Sequence, residues 1–423
     1  MSNLNLAIQF FLQLAVILTV CRLVGLLAAR LGQPQVVAEM IAGVMLGPSL
    51  FGALAPEAQQ WLFPWDPKQS LRDTSCYLFP ASQLGLALFM FVVGTEFRTD
   101  GIRQHLRASI AVSVAGMATP FALGALLAAW LYEHTALFPP ATSRFEAMLF
   151  LGASMCITAF PMLARIIRYK NLQGTLMGTV AIGAGAIDDA TAWILLAVVL
   201  ASFDDNPAHA LYNAGGALGF VAVAFGVVRP LLARLAPRLV VNGELSESGL
   251  VVCLTLMALG AWFTDLIHLH AVFGAFVMGT VMPRGVITRD LAARIGPLTI
   301  ALLLPLFFTY SGLNTRIGLI NTPQLWAVSL AVLVAAIAGK WLACTLAARA
   351  SGLPAREAMG IGILMNARGL MELIIIINIG LSRGIITPDL FATLVLMAIV
   401  TTLMASPIFE RLVGSRPAPA ASP

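Results

Sequence analysis

The chain has 423 residues, of which 59% are hydrophobic and only 11% are charged, and its formal net charge is +5. Soluble proteins carry about 25% charged residues, so this composition excludes a disordered chain, a nucleic-acid-binding protein and an ordinary cytosolic enzyme. The five cysteines are an odd, scattered set, which does not indicate a disulfide framework or a metal array. The first residues contain neither a basic segment nor a small-residue cleavage site, so no removable signal peptide is expected.

Apolar runs long enough to cross about 30 Å of hydrocarbon recur along the whole sequence. Thirteen are predicted, near residues 5–28, 34–50, 80–98, 104–132, 144–167, 173–203, 209–237, 246–265, 268–283, 291–313, 323–350, 355–381 and 387–412. The eighth and ninth are short and could form one re-entrant unit, which would give twelve. The predicted fold class is therefore an all-α polytopic membrane protein with about 13 transmembrane helices.

The distribution of basic residues predicts the orientation of the chain, because cytoplasmic loops are rich in Lys and Arg. If the N-terminus is outside, seventeen of the 25 Lys and Arg residues fall on the inner side and five on the outer side. The remaining three lie within predicted spans. This asymmetry predicts an outside N-terminus and a cytoplasmic C-terminus, and it also favours an odd number of helices.

Thirteen helices can be divided into two six-helix halves, helices 1–6 and 8–13, joined by helix 7. The halves then enter the membrane from opposite sides, which is the inverted-repeat arrangement common in secondary transporters. Helix breaks are predicted at matching positions, around 154–161 in helix 5 and 365–372 in helix 12. Pro161 removes a backbone donor, so freed carbonyls and Thr158 are candidate cation ligands. Alternatively, each break is an ordinary kink.

Asp188 and Asp189 lie side by side in the middle of helix 6. Burial in lipid and mutual repulsion both oppose ionisation of the pair, which should titrate as a coupled unit. Such a site can hold protons or a cation, which is the physical basis of exchange. The alternative is a pair at a misjudged helix end, solvated by water. The partial glycine fingerprint at Gly183 and Gly185 lies inside this membrane run, so no nucleotide is expected to bind.

Two cationic side chains also fall within predicted spans. Lys340 needs a carboxylate to keep its proton when buried, and Asp188 or Asp189 is the natural partner; the alternative is snorkelling toward the surface. Arg368 stays charged, and Glu372 lies one helical turn along, within reach. This second pair is interpreted as structural or gating rather than ion-binding.

Weaker signals come from Glu39 and Glu96, which we interpret as interfacial charges at inner helix ends, with a pathway role as the alternative. Arg22, near an inner helix end, is expected to snorkel or to contact lipid headgroups. His268 and His270 are two positions apart, which is poor helical spacing for a metal site, and none is expected there.

Several segments resemble the second branch of the cation:proton antiporter superfamily, and in particular the bacterial relatives of the plant cation/H⁺ exchangers. The matching stretches cover nearly the whole chain in the order of the family: 32–39, 47–49, 158–165, 188–189, 273–276, 311–313 and 365–373. One departure is Leu370, which stands where many relatives carry an acidic residue. The soluble C-terminal domain of many members is not expected here.

The resemblance implies an elevator-type exchanger that works as a homodimer in membrane lipid. Asp189 would be the essential carrier of cation and proton, Asp188 would pair with Lys340, and Thr158 would lie at the unwound crossing. An adjacent Asp pair implies electrogenic exchange. The implied domains are scaffold helices 1–3 (1–100), core helices 4–6 (101–205), linker helix 7 (206–240), scaffold helices 8–10 (241–315), core helices 11–13 (316–413) and a disordered tail (414–423).

The sequence therefore predicts a Na⁺ or K⁺/H⁺ antiporter of a bacterial plasma membrane. No cofactor, nucleic acid or nucleotide is expected beside the transported Na⁺ or K⁺ and H⁺. A cation channel or a sensor with an antiporter-like fold is the alternative. An intramembrane aspartyl protease is disfavoured, because the side chains of adjacent residues diverge by about 100° around a helix, and so no enzymatic activity is expected.

Overall fold

The computed structural model describes residues 3–31, 33–64, 77–96, 105–158, 160–172, 174–202, 207–267, 270–313, 315, 318, 320–368, 373, 376–377, 379–381 and 383–414. The first helices are α1 (Asn3–Arg30), α2 (Gln35–Leu46), α3 (Phe51–Leu54), α4 (Pro56–Leu62), α5 (Leu78–Glu96), α6 (Leu106–His134), α7 (Arg144–Cys156), α8 (Phe160–Tyr169) and α9 (Leu176–Ser202). They are followed by α10 (Pro207–Val223), α11 (Arg229–Leu239), α12 (Glu247–Leu266), α13 (Ala271–Thr280), α14 (Val286–Leu298), α15 (Leu304–Leu313), α16 (Pro323–Ala350), α17 (Ala355–Met365) and α18 (Pro388–Leu412).

The chain is a helical integral membrane protein, as predicted. Each of the thirteen predicted runs contains helix, and nine helical segments of the described residues are long and apolar enough to cross a membrane. Two long helices contain one π turn each, Ala224–Val228 between α10 and α11 and Thr299–Leu303 between α14 and α15.

Two local features were not predicted. Part of the long connection 51–79 is helical, since it contains α3 and α4. Strands β1 (Val240–Val241) and β2 (Glu244–Leu245) form a short antiparallel hairpin before α12. Its turn residues Asn242 and Gly243 both have positive φ, as a tight hairpin turn requires.

The helices group into two compact units, each built from separate stretches of the chain. The first unit contains Met1–Val24, Ala42–Phe97 and Leu200–Asn314, and the second contains Gly25–Ile41, Arg98–Val199 and Thr315–Pro423. Besides two stretches close in extent to the predicted core helices 4–6 and 11–13, the second unit includes the junction between α1 and α2.

In the first unit, helices approach each other closely at glycines. A Cβ on Gly312 of α15 would overlap the backbone carbonyl of Gly43 of α2, and one on Gly43 would overlap the carbonyl of Phe308. Where α5 meets α13, a Cβ on Gly279 would lie 2.9 Å from the Cα of Gly94. Such contacts let backbones pack closely in membranes, where lipid supplies no hydrophobic force between helices.

Among the described residues of the first unit, Asp290 of α14 is the one buried charged side chain. Its Oδ2 accepts a hydrogen bond of 2.8 Å from the backbone N–H of Leu245 and its Oδ1 lies 3.1 Å from Nε of Arg289. This carboxylate therefore fastens the hairpin to α14.

In the second unit, α6 packs against α7 and α16, and α16 also contacts α17 and α18. Apolar residues of several helices meet in one buried cluster, with Ile166, Val180, Leu364 and Phe409 all fully buried. The two interrupted helices and the Asp pair belong to this unit.

Candidate cation and proton site

The helix predicted near 144–167 is interrupted just before Pro161, as the sequence predicted. Helix α7 begins with a capping box, in which Ser143 Oγ accepts from the Glu146 N–H and Glu146 Oε2 accepts from the Ser143 N–H. It ends at Cys156, after which Ile157 has extended backbone (φ −68°, ψ 134°). Helix α8 then starts at 160 with the proline in its second position, where the missing N–H leaves no helical bond unmade.

The second predicted break lies in the helix near 355–381. Helix α17 ends at Met365, and Asn366, Ala367 and Arg368 are not helical. Residue 373 is helical again, whereas 369–372, which include the predicted site residue Glu372, lie outside the described residues. Both halves of the chain therefore contain an interrupted helix.

Asp188 and Asp189 are both completely buried in the middle of α9. One oxygen of Asp188, Oδ2, accepts a hydrogen bond of 2.5 Å from Thr158 Oγ1 and lies 3.2 Å from Lys340 Nζ. Lys340 is also fully buried, so snorkelling to a surface does not occur. Of the two carboxylates that could have paired with this lysine, the structure selects Asp188.

Asp189 has different surroundings. Both of its carboxylate oxygens are buried and accept no hydrogen bond from the residues that the structure describes; the same holds for Oδ1 of Asp188. An ionised carboxylate in such surroundings is costly unless a proton or a cation neutralises it. The pair therefore consists of one carboxylate balanced by a lysine and one whose charge is open to a mobile partner.

The two buried cations hold the carbonyl end of α7. Lys340 Nζ donates a 2.5 Å hydrogen bond to the carbonyl oxygen of Cys156, and Arg368 Nη1 donates to that of Met155. The last carbonyls of a helix lack helical donors and carry its negative dipole end, so they favour cations. The sequence predicted that freed carbonyls at this break are candidate ligands of the transported ion. Two of them instead bind side chains of the protein.

Arg368 also reaches a third helix, because its Nη2 donates a 2.7 Å hydrogen bond to the carbonyl of Ala336 in α16. Its own carbonyl accepts from Thr402 Oγ1 in α18. The predicted pairing of Arg368 with Glu372 concerns a residue outside the described part of the chain. The carbonyl partners were missed, since they are distant in sequence and no side-chain pattern indicates a carbonyl.

Residues 15–413 match the family of transmembrane sodium/hydrogen exchangers. The chain belongs to this sodium/hydrogen exchanger family. It is 38% identical over 419 residues to the Na⁺/H⁺ antiporter NhaS4 of Synechocystis sp. The match covers 98% of this chain and 99% of that relative. These findings confirm the resemblance to the cation:proton antiporter superfamily.

Two further likenesses extend this assignment. The chain is 35% identical over 411 residues to cation/H⁺ antiporter 19 of Arabidopsis thaliana. This match covers 96% of the chain but 50% of the plant protein. The chain thus spans about half the length of that relative. Among solved structures, the sodium proton antiporter MjNhaP1 from Methanocaldococcus jannaschii at pH 8 matches with a TM-score of 0.61 at 14% identity, covering 96% of this chain and 98% of that one. This likeness concerns the fold alone.

The weaker sequence signals have mixed outcomes in this exchanger. Glu96 is exposed at the last residue of α5, as expected for a charge at a helix end. Arg22 is also exposed, but it lies eight residues before the end of α1, not near that end as expected. Glu39 lies in the first turns of α2 and is only 3% exposed, so it is buried against other residues, and its interfacial role stays a prediction. His268 lies outside the described residues, and His270 caps the N-terminus of α13. The described residues contain no group of three or more His, Cys, Asp or Glu side chains that could hold a metal ion.

Proposed function

We propose that this exchanger is a monovalent cation/proton antiporter, which moves Na⁺ or K⁺ against H⁺ through competition at Asp189 and Asp188. The single observation that carries the proposal is the contrast within the pair. Asp188 is balanced by Lys340 at 3.2 Å, whereas both oxygens of Asp189 lack a hydrogen-bond partner among the described residues. A buried carboxylate of this kind holds either a proton or a cation, and each displaces the other.

The adjacent carboxylates give the exchange a route to net charge movement. A cation that binds at the pair displaces the protons held there. Two protons that leave for each monovalent cation would make the exchange electrogenic, as the family resemblance implies for an Asp pair. Exchange of this stoichiometry moves one net charge per cycle, and a membrane potential of 100 mV then contributes about 2.3 kcal/mol.

The remaining parts of the proposal rest on the family resemblance. The second unit is the moving core of an elevator, with the two interrupted helices near the Asp pair. The protein works as a homodimer through scaffold helices 1–3 and 8–10. The excess of basic residues in the predicted inner loops supports an outside N-terminus and a cytoplasmic C-terminus in a bacterial plasma membrane.

The test is proton movement evoked by cations in vesicles that contain the purified full chain and a trapped pH-sensitive dye. Na⁺, K⁺ and Li⁺ are added separately to wild type and to Asp189→Asn. Asp265→Asn is the matched control, because it makes the same chemical change at an exposed aspartate of the first unit.

We expect proton flux with at least one cation, loss of that flux in Asp189→Asn, and retention in Asp265→Asn. Imposing a membrane potential should change the rate if net charge moves. Cation movement without proton movement would indicate a channel and would refute the antiporter. Full flux in Asp189→Asn would leave the function intact but refute the assigned site.

A further inference from the structure

Helix α18 contains a proline in its last turns, and this proline leaves one carbonyl without its usual donor. In an α-helix the N–H of residue 407 would bond to the carbonyl of residue 403. Pro407 has no N–H. The carbonyl of Leu403 therefore needs a donor from outside the helix, or it remains an unsatisfied polar group inside the protein.

Gln33, from the junction between α1 and α2, supplies that donor. Its Nε2 lies 2.9 Å from the carbonyl oxygen of Leu403, and the side chain is only 8% exposed. The orientation of the amide is fixed by chemistry, because the amide oxygen of Gln33 could not accept a hydrogen bond from a carbonyl. A side chain 370 positions earlier in the chain thus replaces the backbone N–H that the proline removes.

The stretch of α18 that Gln33 holds is the one that supports the second helix break. Thr402 Oγ1 donates to the carbonyl of Arg368, and Met404 Sδ lies 3.9 Å from Nδ2 of Asn366. Arg368 in turn bonds the carbonyl of Met155 at the first break. The contacts run without interruption from Gln33 through α18 to the two breaks, and Thr158 of the first break contacts Asp188.

We propose that Gln33 is a positioning residue of the exchange site, and that the junction Gly25–Ile41 is a functional part of the unit that carries the Asp pair. The inference rests on the proposed function, but it departs from the division that the resemblance implies, in which residues 1–100 form scaffold. The compact second unit includes this junction. The cost of losing the Gln33 amide is set by Pro407, since only a proline at that position leaves the Leu403 carbonyl unpaired.

The experiment is a double-mutant cycle between Gln33→Leu and Pro407→Ala in vesicles of the full chain, with the cation that wild type transports. Gln33→Leu removes the donor at similar volume, and Pro407→Ala restores the helical N–H. We expect Gln33→Leu to raise KM for the cation by about tenfold, because an unsatisfied buried carbonyl lowers the fraction of molecules with a competent site. In the Pro407→Ala background the same substitution should change KM by less than about twofold.

A second variant guards against a folding defect of Gln33→Leu. In Gln33→Glu, a protonated carboxyl group can donate to the Leu403 carbonyl, whereas a carboxylate cannot. The rate relative to wild type should therefore be lower at pH 9 than at pH 6, and Pro407→Ala should remove this difference. A merely structural role of Gln33 would alter the yield of folded protein but neither KM nor this pH profile.

Two results would overturn the inference. One is an equal rise of KM in both backgrounds, which would show that the amide does not act through the Leu403 carbonyl. The other is an unchanged KM and pH profile in both Gln33 variants. Wild type is measured in the same vesicles, so absent flux there would count against the proposed function itself. In that event the melting temperatures of the purified single and double variants supply the same cycle. Additive effects of Gln33→Leu and Pro407→Ala on the melting temperature would still overturn the proposed coupling.

Discussion

The two units bury different kinds of groups. In the first, helices touch through glycines such as Gly43 and Gly312, and the one buried charge among its described residues fastens a surface hairpin. The described part of the second buries six charged side chains and two amides: Glu39, Lys170, Asp188, Asp189, Lys340, Arg368, Gln33 and Asn366. Both are made of helices of similar hydropathy, so composition does not separate them.

The difference concerns what each unit needs in order to stay folded. Glycine contacts depend on shape alone, and a change of shape should affect stability without affecting chemistry. Paired buried charges depend on one another, because removing one partner leaves the other buried and unbalanced. We therefore expect substitutions in the first unit to act through packing, and substitutions in the second to act through lost partners that a compensating change restores.

The largest effect is expected at the ion pair of Lys340 and Asp188. Lys340→Met removes the cation and leaves a buried carboxylate with Thr158 as its remaining described partner. This should cost about 3–5 kcal/mol of unfolding free energy. Asp188→Asn in the same chain should recover most of it, since the carboxylate that Lys340 balanced is then neutral. Chemical unfolding of the purified protein measures both.

The control for this pair is Glu244→Gln, which removes one charge of an exposed ion pair. In that pair Glu244 Oε2 lies 3.5 Å from Arg294 Nη2. The control variant should stay within about 0.5 kcal/mol of wild type. If the double variant of Lys340 and Asp188 were no more stable than Lys340→Met, the dependence of these charges on each other would be refuted.

Arg368 offers the next test, because its guanidinium bonds carbonyls on two different helices, those of Met155 and Ala336. A lysine carries the same charge but cannot form this fork. Arg368→Lys should cost about 1–3 kcal/mol. Arg349 bonds one carbonyl of its own helix end, that of Leu353, so Arg349→Lys should cost much less. Equal melting temperatures of the two variants would contradict the bridging role.

In the first unit, Gly312→Ala would drive a methyl group into the backbone of Gly43. Overpacking of this kind should cost about 1–3 kcal/mol, while KM for the cation stays unchanged. Gly215→Ala is the matched control, because a Cβ there meets nothing within 4 Å, and alanine favours the helix. A change of KM in Gly312→Ala would break the proposed division between packing and chemistry.

The smallest effect is expected at the start of α7. Ser143→Ala removes one half of the capping box and should cost about 1 kcal/mol. Ser143→Thr keeps the hydroxyl and should retain most of the stability. Thermal unfolding distinguishes the two. If both lost the same amount, the hydroxyl would not be the stabilising group.

Hydropathy and chain breakers predicted the parts of the fold that depend on local sequence. Each apolar run contains helix, and Pro161 marks the first break. The position of Asp188 and Asp189 within a run predicted their burial. The choice of Asp188 by Lys340 could not be made from sequence, because it depends on how α9 is rotated against α16.

What sequence reasoning missed depends on contacts between distant segments. Arg368 was assigned a partner one turn along the helix, whereas its described partners include carbonyls 32 and 213 positions away. Half of the bond from Gln33 to Leu403 could have been predicted, because Pro407 leaves the carbonyl of Leu403 without its helical donor. The sequence does not indicate which side chain donates to that carbonyl. The hairpin also had a signal in Asn242 and Gly243, which the apolar runs on either side concealed.

The π turns of the first unit have a consequence for chain length. A π turn accommodates one residue more than an α-helical turn, while the helix on either side keeps its phase. Deleting one residue from Thr299–Leu303 would therefore convert the turn to regular α-helix and leave α14 and α15 facing as before. The same deletion within α15 would rotate every later position by about 100° and carry Gly312 away from Gly43. The chain thus contains two places, Ala224–Val228 and Thr299–Leu303, where a related sequence one residue shorter could keep the same fold.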